Sequence, residues 1–484
     1  MKLLIVLLEG QLYLAAILAI FVAELGFLFW GLWSRRPVIG LVAVFAAVPL
    51  LRSTLSTIAA CFVRIRPPDG LPLARSEGIA LYELVAEIRR AIDAPTVDSI
   101  VITGGFDASA VAQSAPWRFG RRRTLVLGLP VLTTLSTAEL RAVIAHELAH
   151  FSSGSDSFAA WVYRTRRRWF DLRTVLDRRL ATPLYVYWLI RWYIPRLDKA
   201  STEVARHHEL IADGVAAKVA GSRAAADALV IFESGARYAD ASHWPAIHAS
   251  YETAGELPRP YSQMLSWSAR VVSSELLADL FGNDTEPGDT HPSLRDRFAH
   301  LGETIRIPPS AERSAGEEIL GGALAKLANQ LDDDWDTRHG KSWRERRAAY
   351  VERRATVDRL SSIEIPTADE LFMRGELVED LDGSDEALPI YQSAAAQGHA
   401  AASLTAGRLL LDRMDRNGIA LVEDAMSRDD SLVPEACRLL AAYYKRSNQN
   451  LAAQKCEWRA ARHSTKVRLA QRSRKPGADR LTAP

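Results

Sequence analysis

The chain has 484 residues, three cysteines and a formal net charge of +2 at pH 7. This length allows two or three domains, and the small net charge does not favour a nucleic-acid-binding protein. Three cysteines without a CxxC pair exclude both the disulfide framework of a small secreted domain and a thiolate metal site. The composition therefore predicts a globular protein whose chemistry depends on other residue types.

The first 66 residues are predicted to form a membrane anchor of two helices. Residues 12–33 are apolar apart from Glu24 and are long enough to span a bilayer. A second apolar stretch, residues 38–63, is interrupted by Arg52 and follows at once, which argues against a cleaved signal peptide. Basic residues flank the two sides of this hairpin almost equally, so their distribution does not fix its orientation.

Residues 67–309 are predicted to form one domain that combines helices with a small sheet. A helix is expected over 79–92, where apolar residues recur at helical spacing. Strands are expected at 97–103, 106–109 and 124–127, and further helices at 201–220, 223–238 and 261–280. The expected fold class of the whole chain is mainly α, of the α+β type.

The most informative motif in this domain is His146-Glu147-Leu148-Ala149-His150. It lies in an apolar-patterned helical run that starts at a predicted capping box of Ser136 and Glu139. Residues four apart lie on one helix face, so His146 and His150 can direct two imidazoles at one metal ion. Glu147 lies about 100° round the helix, near enough to act as a base. A chance pentad is the alternative, but it would seldom fall on a well-formed helix. The pattern is typical of zinc peptidases.

A catalytic zinc ion normally takes a third protein ligand, and the chain offers several downstream candidates. They are His207, His208, Glu209, His243, His248 and His291. Glu209 is favoured because Asp213 follows it one helical turn later and could accept the second N–H of a ligand histidine. His207 and His208 are expected to matter little, since neither has such a partner. An ordinary solvated acidic face is the alternative, but the neighbouring alanines favour a packed helix.

The HELAH pentad and the ExxAD segment at 209–213 resemble the membrane zinc metallopeptidases that include the HtpX heat-shock protease and the CAAX prenyl protease. The strand-like residues 124–128 and the segment 290–294 also match, and the resemblance covers about residues 70–300. The resemblance implies a zincin-like fold that binds one zinc ion. The residues that it assigns to the site are His146, His150 and Glu209 as ligands, Glu147 as general base, Asp213 behind the ligands, and His291 and Arg297 lining the site.

His291 is a further candidate for a direct catalytic role under this resemblance. A His-Pro pair at the junction of a loop and a helix is, however, often only a helix cap. Both interpretations of His291 therefore stay open.

The aromatic stretch between Pro183 and Pro195 departs from the pattern of HtpX-type enzymes, which place two further membrane helices here. It has 11 residues and contains Arg191, so it is too short for a predicted span. Its tryptophans and tyrosines favour an interfacial helix or a wall of the substrate groove. A buried core helix is the alternative.

The last third of the chain is predicted to be helical and partly repetitive. Residues 310–362 form a charged helical connector with a helix over 342–356, and residues 466–484 form a disordered basic tail. Between them, 363–465 resemble tetratricopeptide and Sel1-like repeats, with helix pairs at 371–398, 401–430 and 433–463. Gly375, Gly407 and Ala441 recur at nearly the tetratricopeptide period. A non-repeating helical bundle is the alternative.

These features predict a membrane-anchored zinc metalloendopeptidase that hydrolyses protein substrates with a zinc-activated water and Glu147 as base. The expected partners are protein or peptide substrates at the membrane, the lipid bilayer, and proteins bound by the C-terminal helices. Nucleic acid is not expected. The resemblance to HtpX implies a multi-pass protein of the cell membrane, the plasma or inner membrane, with a cytoplasmic catalytic domain and a role in membrane protein quality control. The alternative is a scaffold or receptor with little or no catalysis, but the complete base at Glu147 argues against it.

Overall fold

The computed structural model describes residues 2–33, 70–114, 121–152, 184–267, 274–282, 291–309 and 311–473, with separate residues within 38–55 and 162–173 and at 272. The chain forms two compact units, Met1–Ala249 with Pro258–Gly340 and Ser250–Leu257 with Lys341–Pro484. The expected fold class is confirmed, because the described residues are mainly helical and contain one four-stranded sheet. The predicted connector at 310–362 is divided, since its residues up to Gly340 belong to the first unit.

Helix α1, Lys2–Trp33, begins ten residues earlier than the predicted span. Among the described residues it is the one helix that is long and apolar enough to cross a membrane. Protein covers almost none of its most apolar stretch. The predicted second span, residues 38–63, falls largely outside the described residues, so the two-helix anchor stays a prediction.

The sheet has the strand order β1-β2-β4-β3. Its strands are β1 (Leu71–Leu73), β2 (Ser99–Thr103), β3 (Ala108–Ser114) and β4 (Arg121–Gly128). The central strands β2 and β4 are parallel, and the outer strands β1 and β3 are antiparallel to their neighbours. Strand β3 starts at Ala108 and is longer than the predicted 106–109. Strand β1 was not predicted, because three residues that include Pro72 are too few to show a period.

Helix α2 (Ile79–Ala91) lies between β1 and β2 in the chain, and α3 (Leu129–Thr134) and α4 (Thr137–Ser152) follow β4. The predicted capping box of α4 is present: the Ser136 N–H donates to Glu139 Oε2 at 2.7 Å, and the Glu139 N–H donates to Ser136 Oγ at 3.4 Å. Leu140, Ile144 and Leu148 are fully buried. This apolar stripe packs α4 against its neighbours and so fixes the direction of its histidines.

Helix α5, Leu184–Ala220, continues through Pro195, so the prediction of a separate short element before this proline was wrong. Proline removes one helical hydrogen bond, but packing on both sides of it keeps the helix whole here. Tyr193 and Leu197 lie in a buried apolar cluster with Leu7 of α1, and the Tyr193 hydroxyl donates to the Val6 carbonyl at 2.9 Å. The buried-helix alternative therefore holds for one face of the aromatic stretch, while the opposite face is exposed at Tyr187, Trp188 and Trp192.

The remainder of the first unit is helical. Its helices are α6 (Ser222–Tyr238), the π-helix Ala239–His243, α7 (Trp244–Thr253), α8 (Pro260–Met264), α9 (Ser274–Gly282), α10 (Leu294–Leu301), α11 (Ala315–Ile319), α12 (Gly322–Trp335) and the π-helix Asp336–Gly340. The residues of α7 from Ser250 onwards are assigned to the second unit. The single helix predicted over 261–280 was wrong. The N–H groups of Leu265, Ser266 and Trp267 bond to carbonyls three residues earlier, which tightens the last turn and ends α8.

The second unit consists of α13 and three successive helix pairs. Its helices are α13 (Lys341–Ser361), α14 (Ala368–Leu381), α15 (Ser384–Ala396), α16 (Ala400–Asp412), α17 (Gly418–Arg428), α18 (Val433–Arg446) and α19 (Asn450–Ser473), with a 3₁₀ turn at Asp430–Leu432. The pairs lie where the sequence places them, but their membership of a repeat family stays a prediction. Helix α19 includes residues 466–473 of the predicted disordered tail, and 474–484 lie outside the described residues.

Candidate metal centre

The cluster that could hold a metal ion consists of His146 and His150 from α4 and Glu209 from α5. One ligand atom from each of the three lies within 4.8 Å of the others. His146 Nε2 is 3.4 Å from Glu209 Oε2, and His150 Nε2 is 3.6 Å from Glu209 Oε1. Both Nε2 atoms thus face one carboxylate, which is the grouping that the sequence predicted.

A buried ion pair supports His146 from behind. His146 Nδ1 is 3.0 Å from Asp213 Oδ1. Arg297 donates to the two oxygens of Asp213 from Nε at 2.7 Å and from Nη2 at 2.5 Å. Such a bidentate bond fixes the carboxylate, which in turn fixes the orientation and tautomer of the imidazole. Asp213 lies where it was expected, whereas Arg297 contacts Asp213 and not a ligand.

His150 has a partner that sequence reasoning missed, because its Nδ1 lies 3.2 Å from Nδ1 of His208. His208 is 4% exposed, while His207 is exposed. The sequence did not predict this buried position beside a ligand candidate, and the expectation that His208 matters little for metal binding stays a prediction. The available signal was the pair of small apolar residues Ala205 and Ala212, which mark the buried face of α5 on either side of His208.

His291 flanks the ligand cluster from the loop before α10. Its Nδ1 is 3.2 Å from Glu209 Oε2, and 64% of its side chain is exposed. Ser293 caps α10, since its hydroxyl accepts from the Asp296 N–H at 3.2 Å. The helix-cap interpretation therefore applies to Ser293, and His291 remains open to other roles.

The remaining candidates, His243 and His248, do not join the ligand cluster among the described residues. The His243 ring lies edge-on to Trp244 and Trp267, with centroid separations of 5.2 and 5.0 Å. The His248 ring lies 6.3 Å from that of Trp244. Both histidines thus belong to an aromatic cluster around the π-helix Ala239–His243.

Glu147 faces the same site from α4. Burial raises the pKa of its carboxyl to about 7, and the negative charge of Glu209 adds to this effect. The carboxyl also accepts a hydrogen bond from the backbone N–H of Ala110 in β3. A carboxyl group with a pKa near neutrality can both take up and release a proton, as general acid–base catalysis requires.

Charges at the site favour an anionic Glu209 beside its histidines. Burial alone would raise the Glu209 pKa, but hydrogen bonds with His146 and His291 hold it well below its usual range. Burial lowers the pKa of His150 to about 3, so this ring is neutral. Burial also lowers the pKa of His146, but its bonds to Asp213 and Glu209 outweigh that and raise the pKa to about 9. A metal ion would therefore displace one proton from His146 on binding.

The donor set fits a metal ion with three protein ligands. Two imidazole nitrogens and one carboxylate form a donor set that catalytic zinc sites use, and such sites keep one position for water or substrate. Each imidazole uses its Nδ1 for another contact, so each has its Nε2 for the metal. The arrangement can bind a divalent metal ion with Glu147 beside it as a proton acceptor.

Comparison with known proteins points to the same chemistry. Residues 117–305 match the model described as Peptidase family M48, and this interval contains every site residue named above except Ala110 of β3. The comparison with curated proteins found no matching relative. Residues 117–305 are therefore similar to the domain of peptidase family M48, and this similarity indicates a protease.

Proposed function

We propose that the protein is a membrane-anchored zinc metalloendopeptidase with His146, His150 and Glu209 as its zinc ligands. The observation that carries this proposal is the convergence of two Nε2 atoms on one buried carboxylate while both Nδ1 atoms contact other groups. A structural network of ion pairs would not need both imidazoles to point to one place. A metal ion does need it, because each ligand must supply a lone pair.

In the proposed mechanism Glu147 is the general base. A bound zinc ion supplies a Lewis acid and lowers the pKa of a water molecule towards neutrality. Glu147 takes the proton of the attacking water and passes it to the amine that leaves. The Ala110 N–H holds the carboxylate in place, and the raised pKa suits both steps near neutral pH.

Strand β3 is proposed to bind the substrate backbone. It is one of the two outer strands of the sheet, pairs with β4 on one side and packs beside α4. An extended peptide that pairs with the other side of β3 would lie next to Glu147, because this residue contacts β3 at Ala110. His291 is exposed and lies against Glu209, and it is proposed to donate to the substrate carbonyl oxygen as negative charge develops on that atom.

Helix α1 is proposed to anchor the enzyme in the cell membrane and to select substrates at its surface. At 1.5 Å per residue, the helix from Tyr13 to Trp33 spans about 30 Å, the thickness of the hydrocarbon core. Tyr13 packs edge-on against Trp192 at one end, and Trp33 is exposed at the other, as in the aromatic belts of membrane proteins. The ion pair of Glu9 and Arg196 lies beyond Tyr13, on the side that would face water.

The same proposal includes the side of the membrane on which the catalytic unit lies and the partners that the protein binds. The resemblance to HtpX supports a cytoplasmic catalytic unit, a second membrane span and a role in membrane protein quality control. The helix pairs of the second unit are proposed to bind peptide segments or partner proteins. Resistance of the full-length chain to carbonate extraction would support the anchor, and release into the soluble fraction would contradict it.

The decisive variant is Glu147→Gln, tested on purified protein with denatured casein as substrate. We expect cleavage to fall by at least about 10²-fold, since the amide cannot accept a proton, while zinc content is unchanged. Glu203→Gln, which removes an exposed carboxylate from α5, is the matched control and should cleave normally. Near-normal cleavage by Glu147→Gln would remove this residue from the mechanism. Membrane proteins that accumulate in cells with Glu147→Gln, identified by mass spectrometry, would reveal the substrates.

A further inference from the structure

His208 contacts the metal-ligand candidate His150 in a geometry that is specific for a hydrogen bond. The two Nδ1 atoms are 3.2 Å apart, the ring planes differ by 18°, and the ring centroids are 5.2 Å apart. This centroid distance is too long for face-to-face contact. It fits two nearly coplanar rings that meet edge to edge through their Nδ1 atoms, along the direction of a ring N–H and a ring lone pair.

Only one of the two Nδ1 atoms can carry the proton of this bond. When His150 gives its Nε2 lone pair to a metal ion, its own proton must sit on Nδ1. His150 then donates to His208 Nδ1, and the proton of His208 sits on Nε2. The contact therefore provides an acceptor for the Nδ1 proton in the tautomer of His150 whose Nε2 is able to bind the metal.

The two ligand histidines thus differ in what supports them. His146 donates to the Asp213 carboxylate, whereas His150 faces a buried imidazole ring. A carboxylate or a backbone carbonyl is the usual partner of a ligand histidine. His208 can take that place because it is 4% exposed, and water therefore does not compete for its Nδ1.

We propose that His208 is a positioning residue that fixes the ring orientation and tautomer of His150 for metal binding. This proposal rests on the proposed zinc site, and it extends that site from one supporting residue, Asp213, to two. His208 contacts neither substrate nor metal, so its effect is expected first in metal affinity and only then in turnover.

The test compares two substitutions that differ in whether they keep an acceptor. Asn places its Oδ1 near the former Nδ1 of His208, whereas Leu fills similar space without an acceptor. We expect His208→Leu to weaken zinc binding by about 10–100-fold in chelator competition, and His208→Asn to restore most of it. In cobalt-substituted protein, the visible absorption bands should shift in His208→Leu and return in His208→Asn.

The matched control is His207→Leu, which alters the exposed neighbouring histidine and should bind zinc normally. Normal zinc affinity in His208→Leu, or an equal loss in the Leu and Asn variants, would overturn the role of His208 as a hydrogen-bond acceptor. Thermal unfolding of the metal-free variants shows whether they remain folded, and an unfolded His208→Leu beside a folded, zinc-binding His208→Asn would support the role. If the wild-type protein binds no zinc, the proposed function itself fails, which is a different result from a failure of His208 alone.

Discussion

The metal centre and the C-terminal helix pairs both bring two helices close together, but by opposite means. Helices α4 and α5 meet through charged and polar side chains, above all His146, Glu209 and Asp213. Helices α16 and α17 meet where a side chain is missing: a Cβ on Gly407 would lie 2.6 Å from Val422 Cγ2 and 3.0 Å from the Gly418 carbonyl oxygen. Gly375 of α14 likewise faces the Tyr391 ring of α15.

This difference predicts how the two regions respond to mutation. At the metal centre the identity of polar atoms is essential, so substitutions should remove metal or activity. At Gly407 and Gly375 of the helix pairs the available volume is essential, so substitutions of these glycines should remove stability and leave the chemistry intact. A polar residue that contributes both to metal binding and to stability would not fit this distinction between the two regions.

Asp213 is such a residue, and Asp213→Asn is expected to have the largest effect on stability and zinc binding together. It leaves the buried Arg297 without its anionic partner, and breaking a buried pair costs roughly 3–5 kcal/mol. We expect a clear fall in the unfolding temperature together with zinc binding weakened by about 10–100-fold. Unchanged stability in differential scanning calorimetry would mean that Arg297 finds another partner and that the polar network serves the metal alone.

Glu209→Ala should come next and should affect only the metal. Mutation of a residue that supports a metal ligand weakens metal binding by up to roughly 100-fold. Loss of Glu209, one of three ligands, is expected to weaken zinc binding by more than that. Glu203→Ala on the same helix is the control, because that side chain is exposed. Full zinc occupancy of the Glu209→Ala protein would reject this ligand set.

Gly407→Val tests the prediction for the C-terminal helix pairs. The added side chain cannot fit against Val422 and Gly418, and overpacking of this kind typically costs about 1–3 kcal/mol. Chemical unfolding should show a destabilised second unit, while peptide cleavage and zinc content stay normal. Ala355→Val, which introduces the same side chain on the exposed face of α13, is the control. Lost peptidase activity in a folded Gly407→Val protein would show that the two units are coupled.

The smallest expected effect is the loss of a helix cap, and it should be the same in both regions. A capping box starts the metal helix at Ser136 and the first C-terminal pair at Thr367. Replacing either cap residue by Ala should cost about 1 kcal/mol, because capping depends on local backbone groups and not on the role of the helix. Matched unfolding curves for Ser136→Ala and Thr367→Ala would show this, and a much larger loss in one of them would not fit.

The part of the site that the sequence could predict is the part that lies on one helix at a time. The spacing of His146 and His150, or of Glu209 and Asp213, is fixed by helical geometry, and so is the capping box at Ser136. Contacts between helices depend on packing angles that no spacing encodes. For that reason His208 was passed over, and Arg297 was placed at the site without its actual partner.

The fold was predicted to a similar degree. Local periodicity placed α2, α4 and the three C-terminal helix pairs. The same local rules failed at Pro195, because the contact of α5 with α1 keeps that helix whole. They failed again at Leu265, where a tightened turn ends α8 within the segment predicted as one helix.

The continuity of α5 has a practical consequence for anyone who wants a soluble fragment. One face of its aromatic end is covered by the first turns of α1, and Tyr193 and Leu197 are fully buried there. A fragment that starts after residue 66 would leave this face uncovered at the end of the same rigid helix that carries Glu209. Such a fragment should aggregate or lose metal for a reason unrelated to its catalytic residues. Apolar residues of α5 that face α1 would first have to be replaced by polar ones, or residues 2–13 supplied as a separate peptide.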